Sequence, residues 1–409
     1  MEKPLEEGRR ELSPRNVLFI VTLSHTMQHI FVGSSILFPL IISELSMDYM
    51  EFGLAIAVAA LIGGLSQIVF SIASRRIARH ILLGAGNLLL SAGMFITGLS
   101  RRLLDFIVAR FLSNIGVAPQ HPMGTAIVSE KFDGKSIGRA LGFHYGVAYI
   151  GNMIGPILMT ASAIALGWRS TFLIFSIPAL LVGSIIIWYL GRDSRIAGGT
   201  TSIHIMKGLI YDLKTILKTR GIVTVIASQI AISGGIDVGI LTTYIPVFLA
   251  DFMKIDIYER GLTYAIGLLG GAVGPLILGR CGDKLGYMKT AIASAGAASI
   301  LAYSMILHKS GSIILTIHIF LLMFTSFSLP TLLQSYLVRS VYGYNRDFVV
   351  GLFFTANFIS NSIWTGITGY LLDVYASFNS AFIFMGSLGL IGLSILSTEF
   401  KHASKLGYG

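Results

Sequence analysis

Runs of mainly apolar residues recur along the whole chain, many of them meeting the length of about 20 residues that a helix needs to cross roughly 30 Å of hydrocarbon. About twelve runs stand out on that rule. Among them are Val17 to Ile42, Leu104 to Ile127, Ile137 to Leu166, Ser170 to Leu190, Gly221 to Leu249 and Phe348 to Leu372. A helix satisfies its own backbone polar groups in lipid, so the fold class is an all-α membrane protein. Of the 409 residues, 54% are hydrophobic and 12% charged. A soluble domain carries about a quarter charged residues, so this chain has too little polar surface to face water throughout. The residues before Val17 are polar, and the first apolar run exceeds the h-region of a cleaved signal; it reads as a retained first span.

The net charge of +10 does not indicate nucleic acid, because Lys and Arg fall in short clusters between apolar runs instead of forming one basic face. The clusters begin with Lys3, Arg9, Arg10 and Arg15, continue at Arg75, Arg76 and Arg79, and extend to Lys405. Cytoplasmic loops are enriched in such residues, which puts both termini in the cytoplasm of a multi-pass cell-membrane protein. A single cysteine, Cys281, excludes an internal disulfide framework and Cys-rich metal sites.

The longest connection, Arg192 to Arg220, divides the spans into two groups of six. The expected organisation is a cytoplasmic tail (1–16), an N-terminal bundle (17–191), a linker (192–220), a C-terminal bundle (221–398) and a second tail (399–409). Within the linker, Met206, Leu209, Ile210, Leu213, Ile216 and Leu217 keep helical spacing opposite Lys207, Lys214 and Lys218. That pattern fits a basic helix lying on the membrane surface or one packed on the ends of the spans. The halves also echo each other: His121-Pro122 followed by Gly142 corresponds to Leu329-Pro330 followed by Gly351. Repeated bundles of this kind are a common plan for transporters.

Between the eighth and ninth runs stands Gly279-Arg-Cys-Gly-Asp283-Lys284-Leu-Gly286-Tyr-Met-Lys289. Glycines allow a tight turn, an acid can cap free N–H groups at a helix end, and basic residues suit the headgroup region. This segment resembles the signature loop of the major facilitator superfamily. The first-half counterpart, from Ser71 to His80, lacks both glycines and carries Arg75 where that family has the acid. Arg110 with Gly116 is similar to the family's intramembrane arginine motif, with Ala118 in place of its second glycine. Gly151-Asn-Met-Ile-Gly155-Pro156 resembles its motif of small residues and proline, which permits close helix packing and a bend. Leu23-Ser24-His25 with Pro39, His121-Pro122 and Gly369-Tyr-Leu-Leu-Asp373 are similar to the fosmidomycin-resistance and related drug-efflux branch, although His29 stands where that branch usually has an acid. The resemblance implies two pseudo-symmetric six-helix bundles that alternate access to a midplane site, with the Gly279 to Lys289 loop acting as a cytoplasmic gate.

Ionisable residues inside a membrane are costly unless they face a cavity or a partner, so each is a functional candidate. Asp237 lies about 24 Å along the seventh run from Gly221 at 1.5 Å per residue, among Ser233, Gly234, Gly235 and Gly239. It is a candidate proton acceptor, because alternating access changes the hydration of a buried carboxylate; a carboxylate satisfied by neighbouring Ser or backbone groups is the alternative. Arg110, about 9 Å into the fourth run on the same rise, can bind an anionic group or pair with Asp105. His25 and His29 lie one turn apart beside Gln28. The family resemblance implies that their span and those of His121 and His144 surround the central cavity, where such a set could relay protons or bind a carboxylate or phosphonate. Tyr145, Tyr149, Asn152, Gln229, Asn357 and Asn361 are candidate lining residues or interhelical hydrogen-bonding groups.

No nucleotide-binding domain fits the loops. Gly134-Lys135-Ser136 lacks the first glycine of a phosphate-binding loop, whose place Ser129 occupies, and neither a His-Glu-x-x-His nor a Gly-x-Ser-x-Gly pattern occurs. The expectation is therefore a secondary active transporter, proton-coupled and working as a monomer in the bilayer, with no enzymatic activity, cofactor or resident metal. Efflux of a small organic compound is the reading the drug-efflux resemblance implies. Uptake of an organic anion is the alternative suggested by Arg110 and the histidines, and an intramembrane enzyme is a rival of another class.

Overall fold

The computed structural model describes residues 11–74, 76–132, 136–193, 218–340 and 346–405, and among them every regular element is helical. The linker helix expected at 206–218, all but its last residue, lies outside the described residues, as does Arg75. The chain groups into two compact units, Met1–Ser34 with Val58–Ile203 and Ser35–Ala57 with His204–Gly409. The sequence-based division places residues 35–57 with the N-terminal half.

The first unit begins with α1 (Pro14–Val32), which opens on a proline whose missing N–H would be unsatisfied in any first turn. A short 3-10 turn and α2 (Phe38–Glu44) follow, then α3 (Tyr49–Ala73) and α4 (Arg79–Leu99). The fourth run is not one helix. It forms α5 (Leu103–Val117), a π-helical turn (Gln120–Gly124) and α6 (Thr125–Lys131). Pro119 and Pro122 fall at the interruption, where each removes a backbone donor. The fifth and sixth runs form α7 (Ile137–Ile185), interrupted at Gly167, whose φ of 80° and ψ of 157° suit glycine. Val17, Val21, Met27, Leu83, Ile127 and Ile186 belong to one buried cluster of this unit. α1 lies against α7 through backbone-close contacts: a Cβ on Gly151 would stand 2.6 Å from the Thr26 carbonyl oxygen, and one on Gly33 would stand 2.6 Å from Pro156 N.

In the second unit the seventh run is also interrupted. α8 (Arg220–Gly235) ends at Ile236, and α9 (Val238–Val247) starts again under an Asp237 cap. Then come α10 (Ile257–Leu285), α11 (Tyr287–Ser304), α12 (Ile313–Ser326), α13 (Leu329–Ser340), α14 (Arg346–Tyr375) and α15 (Phe378–Lys405). Local contacts account for residues 35–57 joining this unit. The Asp373 carboxylate accepts the Tyr49 and Met50 N–H groups at 3.0 and 2.5 Å, and the Tyr49 hydroxyl donates to Asp251 at 3.0 Å.

Among the described residues, nine helical segments are long and apolar enough to cross a membrane, short of the twelve read from the sequence. One of the nine, Arg139–Leu190, contains the interruption at Gly167 and so covers two of the expected runs. α5 has only 15 residues, and α14 carries Asn357, Ser360, Asn361, Ser362, Thr365 and Thr368 in its membrane-length core.

Candidate functional site

In the first unit, α1 contributes His25 and His29 from successive turns, while α7 brings His144 and Asn152 alongside. Their polar atoms form a continuous line. Thr22 Oγ1 is 3.1 Å from His144 Nδ1, and His144 Nε2 is 3.0 Å from His25 Nδ1. His25 Nε2 is 3.2 Å from His29 Nε2, and His29 Nδ1 is 2.8 Å from Asn152 Oδ1. Thr22, His25 and His144 are buried, whereas His29 and Asn152 are half-buried. His121 meets the His25 ring edge-on at 5.1 Å between centroids, Tyr145 approaches it at 5.4 Å, and the exposed Tyr149 lies 5.0 Å from His29.

Gln28 does not join this line. Its amide donates to Gln120 Oε1 at 3.3 Å, which also accepts from Ser24, and Asn87 donates to the Ser24 hydroxyl. Buried groups of this kind hold helices together. Arg110 is buried, with its guanidinium over the Phe31 ring at 4.8 Å, a cation–π contact two residues beyond His29. Asp105, the alternative partner considered for it, accepts from the Arg101 and Arg102 N–H groups at 3.0 and 3.2 Å and caps α5.

The second unit holds Asp237 where the seventh run is interrupted. One carboxylate oxygen accepts the Gly239 N–H at 3.2 Å and the Asn361 amide at 3.3 Å. The other accepts the Gln229 amide at 3.4 Å, and that amide also donates to Asn357 at 2.7 Å. A helix start provides free N–H groups, so an acid belongs there on capping grounds alone. Burial at 3% exposure amid amides additionally lets its protonation respond to changes in hydration.

Near the expected gating loop, Gly286 closes α10 and opens α11 at φ 96°, a backbone that favours glycine. Asp283 accepts the Tyr287 hydroxyl at 2.5 Å, and Lys289 Nζ lies 5.7 Å from the Phe400 ring centroid. Gly279 faces open space, and Lys284 lies in the last turn of α10.

A buried ion pair escaped the sequence reading. Lys131, at the end of α6, lies 2.5 Å from Asp193, and both side chains are wholly buried. Asp193 also accepts the Leu12 N–H at 2.8 Å, while Glu11 stands 3.7 Å from Lys131. Arg79 pairs with Glu130 beside it. Among the described residues, no group of three or more His, Cys, Asp or Glu side chains is placed to hold a metal ion.

The described elements are those of a helical membrane protein, and comparison with known proteins agrees on that class. The sequence profile of the Major Facilitator Superfamily matches residues 17–365. The chain is 24% identical over 380 residues to the "Probable L-galactonate transporter" of Escherichia coli (strain K12), covering 85% of this chain and 81% of that protein. It is 23% identical over 249 residues to the "Chloramphenicol resistance protein CraA" of Acinetobacter baumannii, covering 60% and 56%. The crystal structure of the nucleoside transporter NupG has the same fold, with a TM-score of 0.79, 12% identity and coverage of 94% of this chain and 99% of that one. The profile spans most of the sequence, and the chain therefore belongs to the Major Facilitator Superfamily as a membrane transporter of small molecules and not an enzyme.

Proposed function

We propose that this transporter carries a small organic anion into the cell together with protons, by alternating access, as a monomer with both termini cytoplasmic. The observation that carries the reading is the line of imidazoles in the first unit, with Arg110 buried nearby on α5. Imidazoles accept and release protons near physiological pH, and a guanidinium keeps its charge for a carboxylate. The relative named for L-galactonate, a carboxylate, matches over most of both chains and supports the same class.

In this reading Asp237 is a second proton site, whose cap position and amide partners allow it to exist charged or neutral. Gly151, Gly155 and Pro156 serve close packing of α1 on α7, and the Gly279 to Lys289 loop serves gating. Extrusion of a small organic compound is the second reading. It is favoured by the match to the chloramphenicol-resistance protein, which covers less of either chain.

The test is proton movement in liposomes holding the purified protein, followed with an internal pH dye while L-galactonate or chloramphenicol is added outside. Acidification with L-galactonate alone is the expected result. Asp237→Asn should retain substrate exchange and lose accumulation driven by a pH gradient, whereas accumulation at the wild-type level would remove Asp237 from coupling. Arg110→Lys should abolish L-galactonate binding. A response to chloramphenicol alone would overturn the anion reading.

A further inference from the structure

The line from Thr22 to Asn152 has a direction, because its last acceptor fixes every proton before it. An amide oxygen only accepts, so the 2.8 Å contact with Asn152 places the His29 proton on Nδ1. Neutral His29 must then accept at Nε2, and the donor 3.2 Å away is His25 Nε2–H. His25 is left to accept at Nδ1 from His144 Nε2–H at 3.0 Å. His144 in turn accepts at Nδ1 from the Thr22 hydroxyl, which can rotate into place at 3.1 Å. Each ring carries one proton, and every contact has one donor and one acceptor. With Asn152 presenting its oxygen, no other placement on neutral rings satisfies all four contacts together.

We propose that Thr22, His144, His25, His29 and Asn152 form a one-proton relay that takes a proton in at the buried Thr22 end and releases one at the half-buried His29 end. A hydronium ion reaching Thr22 gives one proton to Oγ1 and leaves as water, as the hydroxyl proton passes to His144 Nδ1. The Nε2–H bond of His144 breaks as His25 Nδ1–H forms, and the Nε2–H bond of His25 breaks as His29 Nε2–H forms. The Nδ1 proton of His29 then leaves to a base that takes the place of Asn152. One proton enters, one leaves, and no electrons move. Afterwards each ring has exchanged its protonated nitrogen, so a second proton cannot follow until the contacts turn back. A second excess proton held at the same time would set N–H against H–N at about 3 Å, losing a hydrogen bond and adding like-charge repulsion.

The titratable groups facing the line are His121 at its edge, Tyr145 against His25 and His144, and Tyr149 over His29. The relay deepens the proton-coupled reading and rests on it only for its part in transport. A carboxylate substrate arriving beside His29 is a base of the kind that would draw the proton out.

The experiment is nitrogen NMR of the full chain in lipid nanodiscs with ¹⁵N-labelled histidine, each ring assigned by a single His→Gln substitution. At alkaline pH, wild-type protein should show His25 and His144 protonated at Nε2 and His29 at Nδ1. On acidification from about pH 9 to about pH 5, the window in which a free imidazole would charge, the three rings together should gain no more than one proton. Thr22→Val should abolish that uptake at His144 while leaving the neutral rings as they are. A reversed tautomer at His25, or three rings each charging fully, would overturn the relay. The tautomers themselves are read on unaltered protein, and where a His→Gln variant does not fold, the ring is assigned by elimination from the other two variants. If the tautomers and the single proton hold while L-galactonate moves no protons in liposomes, the relay stands and the transport reading falls. The opposite pair of results removes the relay and leaves transport.

Discussion

Lys131 and Asp193 are the residues whose removal should be felt most sharply. Both charges are out of water, so each depends on the other, with the exposed Glu11 a more distant counter-charge to Lys131. Breaking a buried pair by removing one partner costs about 3–5 kcal/mol, whereas replacing both with apolar residues of similar volume is often neutral. Lys131→Met and Asp193→Leu are each expected to lower thermal stability in detergent strongly, and the double variant is expected to recover most of the loss. Equal loss in all three would show that packing, not charge, holds this end of the unit. Neither residue stands out in the sequence, because each borders an apolar run where a charge looks like an ordinary loop residue. The histidines were half legible. His25 and His29 pair by helical spacing, but the approach of His144 joins positions 119 residues apart and is a fact of packing. Gln28 shows the converse: adjacency in sequence suggested a shared site, yet a neighbouring residue on a helix points about 100° away, and its amide meets Gln120 instead.

At the scale of elements, apolar length located most spans but could not show where they break. The seventh run reads as continuous, yet it stops at Gly235 and restarts at Val238. Ser233-Gly234-Gly235-Ile236-Asp237 contains the signal for a break, two poor helix formers followed by a good cap, but apolar length outweighed it. Gly235 is there for room: a Cβ would sit 2.0 Å from the Met385 carbonyl oxygen. Gly235→Ala must push α15 away, and overpacking of this kind costs about 1–3 kcal/mol. The expected result is a lower melting temperature with Asp237 displaced from its amide partners; an unchanged melt would mean that α8 shifts freely. Gly167 is the opposite case: it falls in the gap between the runs ending at Leu166 and starting at Ser170, and its positive φ makes any other residue there strained.

For the whole molecule, composition and charge clustering were enough to establish a helical membrane protein, because both follow from the solvent and not from details of packing. The same clustering makes a topological prediction. Cys281, the single cysteine of the chain and partly accessible, lies in the last turns of α10, at the end assigned to the cytoplasm. A membrane-impermeant maleimide should label it in inside-out vesicles and not in intact cells; the reverse pattern would invert the assignment. The Asp193 contacts also set an order of events during synthesis. Lys131 and Asp193 are 62 positions apart (193 − 131), so when α6 first emerges Lys131 lacks its buried counter-ion. Until residue 193 has been made, the nascent Lys131 is without the carboxylate it is buried against and has only the exposed Glu11 as a counter-charge.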